Sequence, residues 1–245
     1  MPERTGTARS RRPRVALGLD GCPTGWVAVV LHDGRVHDVR VVASVREALE
    51  LPSSPPGAVG IDMPVGLVDG PRDTDAAARA LLPGRAASVF STAPRAVVEG
   101  FVDGSITTHA QATARSVEVS GSGLSQQAWR LVPKMAEVED VCASGVVLTE
   151  VHPELAFATL AGAPLPRKRS WPGLMLRREV LAEHGLDLPH RFDGDTAAAP
   201  DDVVDAAVCA LVADALAGGA PVRRVPEATS QTAHGRDIVI TVREP

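Results

Sequence analysis

Four aspartates spread along the 245-residue chain have the type and placement to form one carboxylate site. Asp20 closes the apolar run Val15-Ala16-Leu17-Gly18-Leu19-Asp20, and Asp62 closes Ala58-Val59-Gly60-Ile61-Asp62. Asp202 and Asp205 lie in Pro200-Asp201-Asp202-Val203-Val204-Asp205, at the start of a predicted helix. A carboxylate at the end of a buried strand is costly unless something pairs with it. Two such strand ends and an acidic helix point to a divalent cation, Mg²⁺ or Mn²⁺, which prefers oxygen ligands and retains waters. Two such ions about 3.5–4 Å apart would activate water and steady a leaving oxygen in phosphodiester cleavage. Plainer roles compete: strand-end aspartates cap turns, and acids in a first helical turn complement the helix dipole. Asp205 is the hardest to explain that way, because it stands past the first turn with Ala206, Ala207 and Val208 behind it.

The elements that must position these acids follow from apolar patterning. Residues 15–20 and 26–31 read as strands, and Asp33-Gly34 is a hairpin signal leading to a third strand over 35–43. Ser44-Val45-Arg46-Glu47 matches a capping box that opens a short helix to about residue 51. A Ser/Pro-rich loop then returns the chain to the strand that ends at Asp62. A right-handed crossover places that fourth strand parallel to the first and beside it, so Asp20 and Asp62 emerge together at one carboxyl edge. Further helices are predicted over 72–82, 108–119, 125–142, 154–160, 172–184 and 200–216, the last stopped by Gly218-Gly219. Strands are predicted over 146–151 and 237–242. The expected organisation is one α/β domain over 15–245, behind a disordered basic tail over 1–14 that carries Arg4, Arg9, Arg11, Arg12 and Arg14.

Composition narrows the class. A hydrophobic fraction of 44% and a charged fraction of 22% are those of an ordinary globular protein. The net charge of −5 argues against a general nucleic-acid coat, and four Phe with three Trp argue against a stacking platform for single strands. Cys22, Cys142 and Cys209 are far apart and odd in number, which argues against a disulfide framework or a thiolate zinc site. No apolar run approaches membrane-helix length, and the basic tail lacks the apolar core of a secretory signal, so a cytoplasmic protein with no membrane partner is expected.

Three antiparallel strands, a helix, a parallel strand, and acids on strands one and four and on a late helix resemble the ribonuclease H-like nuclease superfamily. The late Asp-x-x-Asp-Ala is similar to its Holliday-junction resolvase branch. More narrowly, the chain is similar to DUF429, a family of predicted ribonuclease H-like nucleases. The stretches that carry this resemblance are Gly18-Leu19-Asp20-Gly21-Cys22-Pro23-Thr24-Gly25-Trp26, Ile61-Asp62-Met63-Pro64-Val65-Gly66-Leu67, Ser125-Gln126-Gln127-Ala128-Trp129, Pro133-Lys134-Met135-Ala136-Glu137-Val138, Glu150-Val151-His152-Pro153-Glu154 and Asp201-Asp202-Val203-Val204-Asp205-Ala206. The resemblance implies a ribonuclease H-like mixed five-stranded sheet with helices on both faces and helical insertions. It also implies a metal site, and by analogy of fold, phosphodiester hydrolysis in DNA or RNA.

On this reading Asp20, Asp62 and Asp205 hold the metal and Asp202 assists. Glu150, on a fifth strand flanking Asp62, is a further candidate ligand that competes with Asp201 and Asp202. His152 shares Glu150's side of the strand and is a proton shuttle or a capping histidine. Lys134, one of only two lysines, is a candidate to point into the site. For Lys134, for Arg79 and Arg85, and for the basic run Arg167-Lys168-Arg169, a structural salt bridge competes with a phosphate contact. Two other classes stay open. One is an ATP-dependent phosphotransferase of the sugar-kinase and actin-like branch, although Cys22 stands where its phosphate turn needs glycine and no second phosphate turn is visible. The other is a binding protein that keeps the acids without catalysis.

Overall fold

The apolar runs at the start of the chain become three strands, β1 (Val15–Cys22), β2 (Gly25–His32) and β3 (Arg35–Val42), joined as antiparallel hairpins. This computed structural model describes residues 13–192 and 198–245. β1 and β2 are apolar on both sides because layers of helix cover both faces of the sheet. The Asp33-Gly34 turn has both residues at positive φ, 49° and 77°, the sign of a hairpin turn that follows strand twist. Helix α1 (Val45–Glu50) starts at Ser44, whose hydroxyl accepts from the Glu47 N–H at 3.1 Å. The Glu47 carboxylate accepts from the Ala43 N–H at 2.8 Å rather than from the N-cap, so the predicted capping box forms one residue out of register.

The crossover then delivers β4 (Ala58–Asp62) parallel to β1 and directly beside it, with Gly18 opposite Gly60 and Asp20 opposite Asp62. β5 (Thr149–Glu150) adds in parallel to β4, which gives the order β3-β2-β1-β4-β5, three antiparallel strands followed by two parallel ones. The remaining helices are α2 (Asp73–Ala80), α3 (Arg95–Val102), α4 (His109–Ser120), α5 (Gln126–Ala143), α6 (Pro153–Ala161), α7 (Trp171–Glu183) and α8 (Pro200–Gly218). Leu17, Leu19 and Trp26 pack with α1, α3, α4 and α5, while Ala16, Cys22 and Val29 pack with α6, α7 and α8. Alternation along β1 therefore turns Gly18 and Asp20 toward the α8 layer. α8 is apolar around most of its circumference, with every residue from Val203 to Ala215 buried, because it lies between the sheet and α6 and α7.

Several expectations need correction. The strand expected over 146–151 shrinks to two residues, and Val147 is left exposed. The strand expected over 237–242 is two short strands: β8 (Arg236–Asp237) pairs with β7 (Thr232–Ala233), and β9 (Ile240–Arg243) pairs with β6 (Val222–Val225). α3 was not expected, since its short Val- and Gly-containing sequence has weak helix propensity. Arg14, assigned to the tail, is held: its Nε and Nη2 donate to Asp214 at 2.7 and 2.9 Å, and its N–H donates to Asp33. Residues 1–12 of that tail lie outside the described residues. Among the described residues no helix is long and apolar enough to cross a membrane.

Candidate metal centre

The site begins with two glycines. A Cβ on Gly18 would stand 2.1 Å from the Ala206 carbonyl oxygen and the Ala210 nitrogen, and one on Gly60 would stand 2.3 Å from the Cys209 carbonyl oxygen. The backbone of α8 thus rests on bare strand where β1 and β4 cross beneath it, the close approach that glycine in a strand allows. Each glycine lies two residues before an aspartate on the same face, so the contact that seats α8 also sets the helix beside the strand-end acids. The result is a cluster: Asp20, Asp62 and Asp205 each offer a carboxylate oxygen, all within 4.8 Å of one another.

Burial and mutual repulsion govern the electrostatics. Asp20 and Asp205 are buried and Asp62 is partly buried. Burial first, then the charges of Asp62 and Asp205, drives the Asp20 carboxyl well above the ordinary carboxylate range. Burial likewise pushes Asp62 and Asp205 up to about 7, against the opposing pull of Lys168. The Lys168 ammonium pairs with Oδ2 of Asp205 and lies 3.9 Å from Asp201. Burial works against its charge, but Asp205, Asp20 and Asp62 outweigh that and hold it above the ordinary lysine value. Oδ1 of Asp205 is buried with no hydrogen-bond partner among the described residues. An orphaned carboxylate oxygen beside two further carboxylates is a donor set that suits a hard divalent cation. The triad could therefore hold a metal ion.

The other predicted residues fall around this cluster. Asp202 is half-buried and outside it, although its charge raises both Asp20 and Asp62. Asp201 is engaged by Arg169 at 3.0 Å. Glu150 does flank Asp62 across β4 and β5, but it is taken by Arg72 and by the Val65 N–H at 2.8 Å. Arg72 also reaches Asp75 at 3.0 Å, so Glu150 belongs to a buried ion-paired group behind the site. His152 caps α6: its Nδ1 accepts from the Leu155 N–H at 3.2 Å, and burial lowers its pKa. Lys134 donates to the Gly25 carbonyl at 2.5 Å and sits 4.4 Å over the Trp26 ring, its stem against Gly21. Arg79 bonds the Val89 carbonyl and Ser91, and Arg85 pairs with Glu154. A cavity of about 150 Å³ opens beside the acids, lined by Asp20, Gly21, Asp62, Gln127, Glu150 and His152 among others.

A family model described as "Protein of unknown function (DUF429)" matches residues 18–230, a span that takes in every acid of the cluster. The chain belongs to DUF429. No curated protein and no solved structure matches it. Within this DUF429 protein, several of the motif residues prove architectural. Glu137 on α5 accepts from the Trp26 indole N–H at 2.9 Å and from the Val45 N–H at 2.6 Å, tying β2 and α1 to the helix. Gly218-Gly219 ends α8, with Gly219 in the left-handed C-cap position. That places it 14 residues beyond Asp205, about 21 Å along the helix axis. Sequence reasoning underrated two features. Lys168 looked like one cation in a surface run, and only its being one of two lysines marked it. Gly18 and Gly60 had a visible signal, the repeated Gly-x-Asp at the ends of two apolar runs.

Proposed function

We propose that this DUF429 protein is a ribonuclease H-like, metal-dependent nuclease that hydrolyses phosphodiester bonds in DNA or RNA, with Mg²⁺ or Mn²⁺ held by Asp20, Asp62 and Asp205. The observation that carries the reading is the meeting of these three acids within 4.8 Å, with an oxygen of Asp205 left unpartnered. The strand order and the origin of the acids, on the ends of adjacent strands and on a late helix, support the ribonuclease H-like assignment. The chemistry supplied by a divalent cation there is Lewis acidity toward a phosphoryl oxygen and the lowering of the pKa of water.

The chain's own residues orient and exclude. Asp20 and Asp62 are fixed by strand register, Asp205 by the seating of α8, and Asp202 stands half-buried beside them, its charge acting on Asp20 and Asp62. In the reaction the oxygen of water bonds to phosphorus and gives up a proton, one ester P–O bond breaks, and the departing oxygen takes up a proton. The exposed Arg167 and Arg169 stand on the segment that carries Lys168 to the acids and suit a polyanionic substrate. The test is cleavage of end-labelled single-stranded, duplex and branched DNA and RNA in Mn²⁺. Cleavage by the parent that falls at least about 100-fold in Asp20→Asn is expected, as for loss of a group that stabilises the transition state. A parent that cuts none of these substrates, or an Asp20→Asn that cuts as well, ends the reading.

A further inference from the structure

Three ionised carboxylates carry more negative charge than one divalent ion cancels, and the chain brings a positive charge of its own. Lys168 reaches Asp205 from a segment fastened on both sides. Nη1 of Arg177 donates to the Pro166 carbonyl at 2.8 Å. The Ser170 N–H and hydroxyl donate to the Arg167 carbonyl at 2.9 and 2.7 Å. Arg169 is tied to Asp201 on α8 at 3.0 Å, and Arg177 is itself buried and paired with Glu154 at 2.8 Å. The backbone that presents Lys168 is thus built into the α6–α8 layer.

Asp205 is divided between two tasks. Its Oδ2 takes the ammonium, and its Oδ1 is buried and empty-handed. A carboxylate set in this way can accept a cation on the second oxygen without releasing the first. We propose that the site takes a single divalent cation and that the Lys168 ammonium stands in place of a second one, staying on Oδ2 of Asp205 while Oδ1 joins Asp20 and Asp62 around the ion. This inference rests on the metal reading above. Charge balance within the triad supports it: its three carboxylates, the ammonium and one divalent ion sum to zero, with Asp202 half-buried outside them. Two divalent ions beside Lys168 would instead leave a net positive charge in a largely buried cluster before any substrate arrives, a costly state. Lys168 is then a positioning residue that acts through Asp205.

The experiment titrates the full chain with Mn²⁺ and reads stoichiometry calorimetrically and ion–ion coupling by electron paramagnetic resonance. The parent is expected to saturate at one ion per chain with the six-line spectrum of an isolated Mn²⁺. Lys168→Met, which keeps length and loses charge, is expected to take up a second ion and to show an exchange-coupled spectrum. Two coupled ions in the parent, or a folded Lys168→Met that still takes only one, overturns the proposal while leaving a metal site standing. If Lys168→Met does not fold, the parent's stoichiometry keeps the proposal falsifiable, since two coupled ions there overturn it. No Mn²⁺ uptake, or uptake unchanged in Asp20→Asn, overturns the proposal and the metal reading together.

Discussion

Replacing Gly60 by alanine tests how the site is assembled. Alanine in a strand normally helps: it removes conformations from the unfolded chain and stabilises by about 0.4–1 kcal/mol where its backbone angles fit. Here the added Cβ would stand 2.3 Å from the Cys209 carbonyl oxygen, and ordinary contact begins at 3.4 Å. β4 cannot retreat, because it is hydrogen-bonded between β1 and β5. α8 must therefore lift by about 1 Å, and such overpacking costs about 1–3 kcal/mol. The expected sign is thus opposite to the usual one, and the thermal midpoint should fall by about 2–4 °C per kcal/mol. The displacement also reaches the site, since Asp205 lies only four residues from Cys209 on the same helix. Metal–ligand distances tolerate about 0.2 Å, so Mn²⁺ affinity should drop about 10–100-fold, the range seen when a ligand's supporting partners are removed. Gly70 provides the matched control, since a methyl group added there would meet nothing within 4 Å and its φ is not positive. Thermal unfolding and Mn²⁺ calorimetry on Gly60→Ala and Gly70→Ala make the comparison. A Gly60→Ala protein as stable as Gly70→Ala, with parental Mn²⁺ affinity, refutes the idea that bare strand seats the helix.

The other expectations concern charge. Asp62 and Asp205 titrate near 7 in the folded, metal-free protein and near 3.8 when unconstrained, so the folded state binds more protons across that interval. Metal-free stability should therefore fall as pH rises from about 4 to about 7, while Mn²⁺ affinity rises over the same range as protons cease to compete; urea unfolding and calorimetry in a pH series would both be flat across that interval if the acids were held ionised. Arg72→Met leaves Glu150 and Asp75 buried without their cation, and should cost about 3–5 kcal/mol in urea unfolding. A loss below about 1 kcal/mol would mean that this buried group contributes little to the fold.

What the sequence made legible was whatever depended on local pattern plus one topological rule. Apolar runs, a two-residue turn and a right-handed crossover were enough to place Asp20 beside Asp62, and the structure pairs them residue for residue. The apolar character of α8 around Asp205 marked a helix buried against the sheet. Long-range pairing was less visible. β6 and β7 are only four and two residues long and half polar, so nothing in their sequence announced partners for the last strand. The expected strand at 146–151 failed because β-branched residues say how a segment packs, not how much of it finds a neighbouring strand. Lys168 was hidden for a different reason: a basic run normally lies in solvent, and its partner is 37 residues away on α8.

The glycines show why the third acid comes from a helix at all. An aspartate has a single methylene between backbone and carboxylate, so two aspartates can meet only where their backbones come close. Adjacent strands provide that for Asp20 and Asp62 through hydrogen-bonded register. A helix lying across a sheet is normally held off by a layer of side chains from both elements, too far for an aspartate to bridge. Removing the strand side chains at Gly18 and Gly60 lets the helix backbone drop onto the sheet. Asp205 then enters the same small volume as the strand acids. The Gly-x-Asp repeat is therefore one device in two parts, in which the glycine sets the height of the helix and the aspartate uses it. Its second part is visible as chemistry in any reading of the chain, whereas its first part becomes chemistry only once the helix is known to lie above it.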